Sequence, residues 1–255
     1  MPKLIFVIGA NATGKTHFIR QRFSGKGMTC FNIYDYQQRV YREEGVGEFV
    51  PMGAQFRYLM RANQMLLADV KEALTRDEDV VVEHTLYMAK RRIAYIDVLR
   101  KEVRDLTIDV YVMCPSDAQW EANAVSRGAA DHFQRFKSEA DILEFPNSSE
   151  GIDAIYEVMD GEIKLRIDPP RPEIYESAKR ALAEETARLQ SEDETREKGG
   201  CWLTACGSAR SGTTVRCAGK RSLSQRGMRA IPVGIILLIW GTLDCSAPVP
   251  AGSAS

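Results

Sequence analysis

Residues 3–16 read Lys3-Leu4-Ile5-Phe6-Val7-Ile8-Gly9-Ala10-Asn11-Ala12-Thr13-Gly14-Lys15-Thr16, and this stretch decides the fold. Leu4 to Ile8 is a short apolar run, the pattern of a strand buried on both faces of a parallel sheet. Gly9 to Thr16 then matches G-x-x-x-x-G-K-[ST], the phosphate-binding P-loop. The following residues, His17 to Phe23, contain neither Gly nor Pro and space Phe18, Ile19 and Phe23 along one helix face. Glycine at both ends lets the loop turn its backbone N–H groups onto phosphate oxygens, at the positive end of that helix. In such a cradle Gly9, Ala10, Asn11, Ala12, Thr13 and Gly14 supply backbone, Lys15 reaches the β- and γ-phosphates, and the Thr16 hydroxyl holds Mg²⁺. A chance Gly-rich turn between strand and helix is the alternative, and the matched motif with two fitting flanks weighs against it. The expected cofactors are ATP and Mg²⁺.

Downstream the chain keeps alternating strands and helices. Thr29–Tyr34 is expected as a second strand that ends at Asp35, where open parallel sheets put their ligands. Residues 36–53 contain Gly45, Gly47, Pro51 and Gly53 and read as a mobile segment on the substrate side. Ala54–Thr75 is an amphipathic helix with Phe56, Leu59, Met60, Asn63, Leu66, Leu67, Val70 and Leu74 in one stripe. Val80–Val82 is a third buried strand, closing with Glu83-His84-Thr85-Leu86. A helix then runs through Lys90-Arg91-Arg92 to Arg104, and Leu106–Met113 is a fourth strand stopped by Pro115. Ser116-Asp117-Ala118-Gln119 has capping-box spacing for a helix that ends near Arg127-Gly128. Asp153–Val158 and Glu162–Ile167 flank Asp160-Gly161, which favours a type I′ hairpin; a helix over Ser149–Met159 is the competing reading. Ile174 to about Arg196 is a charged helix whose thin stripe of Ile174, Ala178, Leu182 and Leu189 suggests a solvated face packed lightly on the body. The fold class is α/β: a P-loop NTPase fold with a parallel sheet flanked by helices, followed by a hairpin and a helix.

Composition agrees with a soluble globular body. Of the 255 residues 44% are hydrophobic and 27% charged, and the formal net charge is −1. That balance hides an asymmetry, because residues 199–255 carry six Lys and Arg against one acid, Asp244, while residues 1–198 hold 28 basic and 34 acidic residues. An acidic body gives no reason to expect strong non-specific nucleic-acid binding. Cys30 and Cys114 fall within or beside strands, whereas Cys201, Cys206, Cys217 and Cys245 lie in the last part of the chain. With no signal peptide at the start, these are not read as disulfides, and the expected compartment is cytoplasmic. Ile231–Leu243, interrupted by Pro232, Gly234 and Gly241, is short for a membrane span, so membrane association is not expected. The chain divides into a P-loop domain over 1–168, a charged helix over 169–198 beginning at Pro169-Pro170-Arg171-Pro172, and a low-complexity tail over 199–255 read as disordered or non-native.

Four residues beyond the loop fit phosphoryl transfer. Asp35 can accept a proton from an attacking hydroxyl, or be a strand-end turn residue. Glu83 can orient Mg²⁺ water or substrate, or cap a helix. Arg127 and Arg135 can neutralise charge on the transferring phosphoryl from a lid, since guanidinium matches phosphate oxygens, although surface arginines are common. His132 is read as a structural or exposed histidine.

Gly9–Thr16, Ile33-Tyr34-Asp35 and Val82-Glu83-His84-Thr85-Leu86 together resemble small P-loop kinases of the zeta-toxin and polynucleotide-kinase-like group. Glu-x-Thr-Leu after a strand resembles the zeta-toxin side. Lys90-Arg91-Arg92 and Glu150-Gly151-Ile152-Asp153 resemble the polynucleotide-kinase side. The resemblance covers residues 1–168 and implies that Asp35 is the base and Arg127 the lid arginine. Arg127-Gly128-Ala129-Ala130-Asp131-His132 only approximates the Gly-Gly-His lid of zeta toxins, and Glu83-His84 stands where polynucleotide kinases have Asp-Asn or Asp-Thr. The function implied is transfer of the γ-phosphate of ATP to a hydroxyl of a nucleotide-type or sugar-nucleotide acceptor. The competing class is an ATPase or switch, which wants two adjacent acids after an apolar strand; here Glu83 stands alone. A third reading is a toxin-like kinase held in check by an antitoxin-like partner protein.

Since sheet and helices close before Pro172 and no buried periodicity follows Gly199, residues 1–198 are expected to fold and act alone. Purification and assay of that truncated chain checks this; insolubility beside a soluble full-length chain would place the tail in the core.

Overall fold

The computed structural model describes residues 1–45 and 52–205 and centres on one six-stranded sheet. Its strands are β1 (Lys3–Ile8), β2 (Thr29–Asn32), β3 (Val80–Glu83), β4 (Thr107–Met113), β5 (Ala154–Met159) and β6 (Glu162–Arg166). They lie in the order β2-β3-β1-β4-β5-β6; the first five run parallel, and β6 turns back antiparallel on β5. Seven helices connect and cover them: α1 (Lys15–Phe23), α2 (Ile33–Glu43), α3 (Met52–Thr75), α4 (Ala89–Glu102), α5 (Asp117–Ser126), α6 (Phe133–Asp141) and α7 (Pro172–Ala205).

The apolar run of β1 serves both faces of the sheet. Leu4, Phe6 and Ile8 pack with Leu66, Leu67, Val70 and Leu74 of α3 and with Ile93, Ile96 and Leu99 of α4. Ile5 and Val7 point the other way, against Phe18, Ile19 and Phe23 of α1. Strand alternation thus splits one sequence run between two cores. Register then brings the site together: Val7 pairs with Glu83 and Asn32 pairs with Glu83, so β1, β3 and β2 end level at the carboxyl edge.

Several sequence expectations hold in detail. The Asp160-Gly161 segment is a hairpin turn with φ of 49° and 90°, as a type I′ turn requires, and Ser148–Glu150 is only a short 3₁₀ turn. The α3 stripe is buried at Met60, Asn63, Leu66, Leu67, Val70 and Leu74, while the side chains of Phe56 and of Leu189 in α7 lie outside those described. Ser116 caps α5 by accepting from the Gln119 N–H at 3.3 Å. The reciprocal half of that capping box is absent, because Gln119 bonds Asn123 and the Ser116 N–H donates to Asp160.

Three expectations are corrected. The second strand stops at Asn32 rather than Tyr34, since the Asn32 side chain accepts the Tyr34 N–H at 2.9 Å and starts a helix. Residues 36–43 are therefore helical rather than a mobile segment, and residues 46–51 of that expectation lie outside the described residues. The charged helix is not a lightly packed solvated face. Ala178 and Leu182 are buried, and the buried Glu185 accepts from Lys90 at 3.2 Å and Arg91 at 3.1 Å. The helix α7 continues through Gly199 to Ala205, and the tail from residue 206 onward is outside the described residues. Among those described, no helix is long and apolar enough to cross a membrane.

Arg92 is fully buried, as is its partner Glu150. Its Nε and Nη2 donate to the two Glu150 oxygens at 2.6 and 2.8 Å, and Nη1 donates to the carbonyls of Leu86 and Tyr87 at 2.8 and 3.0 Å. The pair pins the chain leaving β3 to the turn before β5. Glu150→Gln strands a buried guanidinium and is expected to cost about 3–5 kcal/mol in urea unfolding. A double Arg92→Met/Glu150→Met variant should lose less than the sum of the two single changes, because both charges then leave together.

Candidate active site

The sequence between β1 and α1 folds into a loop that needs glycine at both ends. Gly9 has φ of 144°, and an added Cβ would sit 3.1 Å from Met113 and from Thr13 Oγ1; Gly14 has φ of 94°. The Thr13 hydroxyl donates to the Ala10 carbonyl at 2.9 Å, and Trp120 of α5 donates from Nε1 to the Asn11 carbonyl at 2.8 Å. Lys15 is buried at the start of α1, where Nζ donates to the carbonyls of Gly9 at 2.9 Å and Ala10 at 2.7 Å. Burial lowers its pKa to about 8, against the raising effect of the Glu83 and Glu139 charges; Arg127 adds to the lowering.

Glu83, at the end of β3, bridges the neighbouring elements. Its Oε1 accepts from the Thr16 hydroxyl and its Oε2 from the Asn32 amide, both at 2.9 Å. Thr16 and Glu83 thus present oxygen ligands side by side, the chemistry Mg²⁺ prefers. Among the described residues no group of three or more His, Cys, Asp and Glu side chains could hold a metal ion. This donor set fits a Mg²⁺ ion that keeps waters and takes further oxygens from a nucleotide.

Beyond the strand end, His84 is completely buried and its pKa falls to about 3, from burial and then from the Lys15 charge. Its Nδ1 accepts the Thr85 N–H at 2.7 Å, so Nε2 carries the proton donated to Asn63 Oδ1 at 2.9 Å. Tyr95 also donates to Asn63 Oδ1, at 2.5 Å. A neutral buried network supports the floor of the site.

The loop from Asn11 to Thr16, together with Asn32, Glu83 and His84, opens onto one pocket of about 590 Å³. Asn11 to Thr16, Glu83 and Thr85 line one side, Asn32 and Asp35 a second, and Arg127, His132, Arg135, Phe136 and Glu139 a third. Of the sequence-predicted site residues beyond Gly9 and Ala10, every one therefore faces the same pocket. Asp35 reaches it from the first turn of α2, exposed to solvent, rather than from a strand end. Arg127 caps the end of α5 and Arg135 lies on α6, both exposed. His132 is exposed, as read from the sequence, and lines the pocket too.

Sequence reasoning missed Asn32, Thr85, Phe136 and Glu139. Glu139 is the consequential one, because it accepts from Asn11 of the P-loop at 2.7 Å and from Arg135 Nε at 3.2 Å. The four-residue spacing from Arg135 to Glu139 was the available signal for the second contact. Nothing local signals the first. Conversely, Lys90, Arg91 and Arg92, which carry part of the polynucleotide-kinase resemblance, turn inward to Glu185 and Glu150 and do not line the pocket.

Among solved structures, a gluconokinase from Sinorhizobium meliloti 1021 aligns over 75% of this chain and 97% of its own, with 18% identity and a TM-score of 0.40. A structure from the PezAT chromosomal toxin-antitoxin system of Streptococcus pneumoniae aligns over 72% and 87%, with 12% identity and a TM-score of 0.43. A chain of the Pnkp1/Rnl/Hen1 RNA repair complex aligns over 56% of this chain and 47% of its own, with 17% identity and a TM-score of 0.39. No curated protein matches the sequence. The family model described as AAA domain matches residues 4–145, which span the P-loop, Asp35, Glu83, Arg127 and Arg135. With the P-loop on the central strand, this protein belongs to the AAA domain family.

Proposed function

We propose that the protein is an ATP- and Mg²⁺-dependent phosphotransferase that moves the γ-phosphate to a hydroxyl of a nucleotide-type or sugar-nucleotide acceptor. The observation that carries this reading is the composition of this pocket. It combines a phosphate cradle, a carboxylate outside that cradle, and two guanidinium groups facing both. Lys15 and the loop N–H groups would hold the β- and γ-phosphates, and Thr16 and Glu83 would hold Mg²⁺. When bound, Mg²⁺ supplies charge neutralisation for the phosphates. Asp35 takes the proton of the acceptor hydroxyl as the new bond to phosphorus forms. Arg127 and Arg135 stabilise the charge on the phosphoryl oxygens during transfer. Asp35 lines the pocket without bonding to Thr16 or Glu83, which leaves its carboxylate open to an acceptor hydroxyl.

Two variants test the assignment. Lys15→Ala removes the cradle's charge and is expected to abolish turnover, several kcal/mol of transition-state stabilisation being typical of such a group. Asp35→Asn keeps size and hydrogen bonding, so ATP binding should survive while transfer falls about 10²–10⁴-fold. The measurement is nucleotide affinity beside ³²P transfer to DNA or RNA 5′ ends, nucleosides and UDP-amino sugars. Release of inorganic phosphate alone, unaffected in Asp35→Asn, would favour the ATPase.

The lowered pKa of Lys15 gives a pH signature. Between about pH 8 and the ordinary lysine value of 10.5, Lys15 is mostly neutral in the free protein. A bound triphosphate favours the charged form and raises the pKa. Binding near pH 8.5 should therefore take up a proton, and affinity should fall as pH rises from 8 toward 10. Calorimetry in buffers of different ionisation enthalpy measures the uptake, which Lys15→Met should abolish.

A further inference from the structure

The contact between Asn11 and Glu139 is unexpected in a phosphate site. It places a carboxylate on the outer part of the P-loop, in a pocket where Lys15, Arg127 and Arg135 suit anions. The Glu139 oxygens are divided: Oε2 accepts from Asn11 Nδ2 at 2.7 Å, and Oε1 accepts from Arg135 Nε at 3.2 Å. Its charge also reaches Lys15, where it opposes the effect of burial. Glu139 therefore brings negative charge to Asn11 and Arg135, which it bonds, and to Lys15, whose charge it favours.

The helix that carries it is held lightly. No residue of α6 is fully buried. Among the described residues its attachments are Phe133, Phe136 and Ala140 against the small cluster of Ala10, Ala12, Trp120 and Ala124, the Asn11–Glu139 bond, and an exposed pair between Lys137 and Asp117. Helix α6 can therefore shift without breaking either main core. A receiving group is also present: the Tyr87 hydroxyl is buried without a hydrogen-bond partner, belongs to the same cluster, and feels the Glu139 charge.

We propose that Glu139 is a positioning residue: its carboxylate holds Asn11 and Arg135 in a resting arrangement that the terminal phosphate of a bound nucleoside triphosphate replaces. The proposal rests on the reading of this pocket as a triphosphate site. The amides of Gly14, Lys15 and Thr16, at the start of α1, take the inner phosphates. Asn11, three residues earlier at the crest of the loop, faces the outermost one. A phosphate there and the Glu139 carboxylate repel each other at hydrogen-bond distance in a site partly closed to water, so one displaces the other. Displacement frees Arg135, which then turns to the phosphate oxygens. A diphosphate does not reach Asn11, and the carboxylate stays in place. Arg135 is thus delivered only when a transferable phosphate is present, a ligand-driven shift between two arrangements.

The test compares the wild-type full chain with Glu139→Gln, which removes the charge and keeps the shape. Calorimetry with AMP-PNP·Mg²⁺, ADP·Mg²⁺ and adenosine gives the affinities. Loss of the competing carboxylate should tighten AMP-PNP binding by roughly 3–10-fold and leave ADP and adenosine within about twofold. A spectroscopic arm uses Trp120, which is bonded to Asn11, in a Trp202→Phe/Trp240→Phe background that leaves it the sole tryptophan. In the parent its emission should change with AMP-PNP and not with ADP, and unliganded Glu139→Ala, which cannot bond Asn11, should already resemble the AMP-PNP state. Glu139→Ala, lacking the replacement amide, should show the same ligand order. An equal gain for all three ligands, or none for AMP-PNP, overturns the proposal while leaving the nucleotide site intact. A wild-type chain that binds neither AMP-PNP nor ADP overturns the triphosphate reading and the proposal with it.

Discussion

One carboxylate joins the elements that make the site. Glu83 accepts from Thr16 with one oxygen and from Asn32 with the other, so the start of α1 and the end of β2 are both tied to the end of β3. The three pieces are distant in sequence, with Glu83 67 residues from Thr16 and 51 from Asn32. Sheet register brings them level, and the carboxylate fixes their side chains. Through Asn32, which also caps α2, the same group sets where Asp35 emerges. The distance between the P-loop and Asp35 is thereby set by the order β2-β3-β1 and one pair of hydrogen bonds.

Beneath this layer the protein spends polar groups on rigidity. His84, Asn63 and Tyr95 form a neutral network; Arg92 and Glu150 form a charged one. Burying such groups is costly unless every one is partnered, and these are. Both networks converge on residues 84–87, where the backbone leaves the sheet without regular structure. A connection with no helix or strand of its own is held by side chains from α3, α4 and the turn before β5.

How much of this was legible in the sequence depends on the range of the interaction. The P-loop, the apolar strands and the Asp-Gly hairpin are local patterns, and each appeared where its pattern placed it. The start of α2 is also local, yet Ile33 and Tyr34 favour a strand and the expected strand runs through them; the Asn32 cap overrides that propensity. The burial of Arg92 and Glu185 could not be read, because the partners lie 58 and 94 residues away and charge runs normally face water. The pocket residues singled out from the sequence converge on one cavity, whereas Glu139 carries no motif and becomes visible only when α6 is laid over the loop.

The two sides of the site are built on opposite principles. The sheet side is fixed by register, burial and bonded polar groups, so its catalytic geometry exists before any ligand arrives. The side formed by α5 and α6 touches the loop through a few small residues, one tryptophan N–H and one carboxylate. A rigid cradle can hold phosphates in line but cannot also admit a substrate and exclude water. That second task needs an element whose contacts are few enough to exchange. The exposed arginines sit on that element, and the buried lysine sits on the other. Charge on the sheet side is buried and bonded, whereas charge on the α5–α6 side is exposed and held by few contacts.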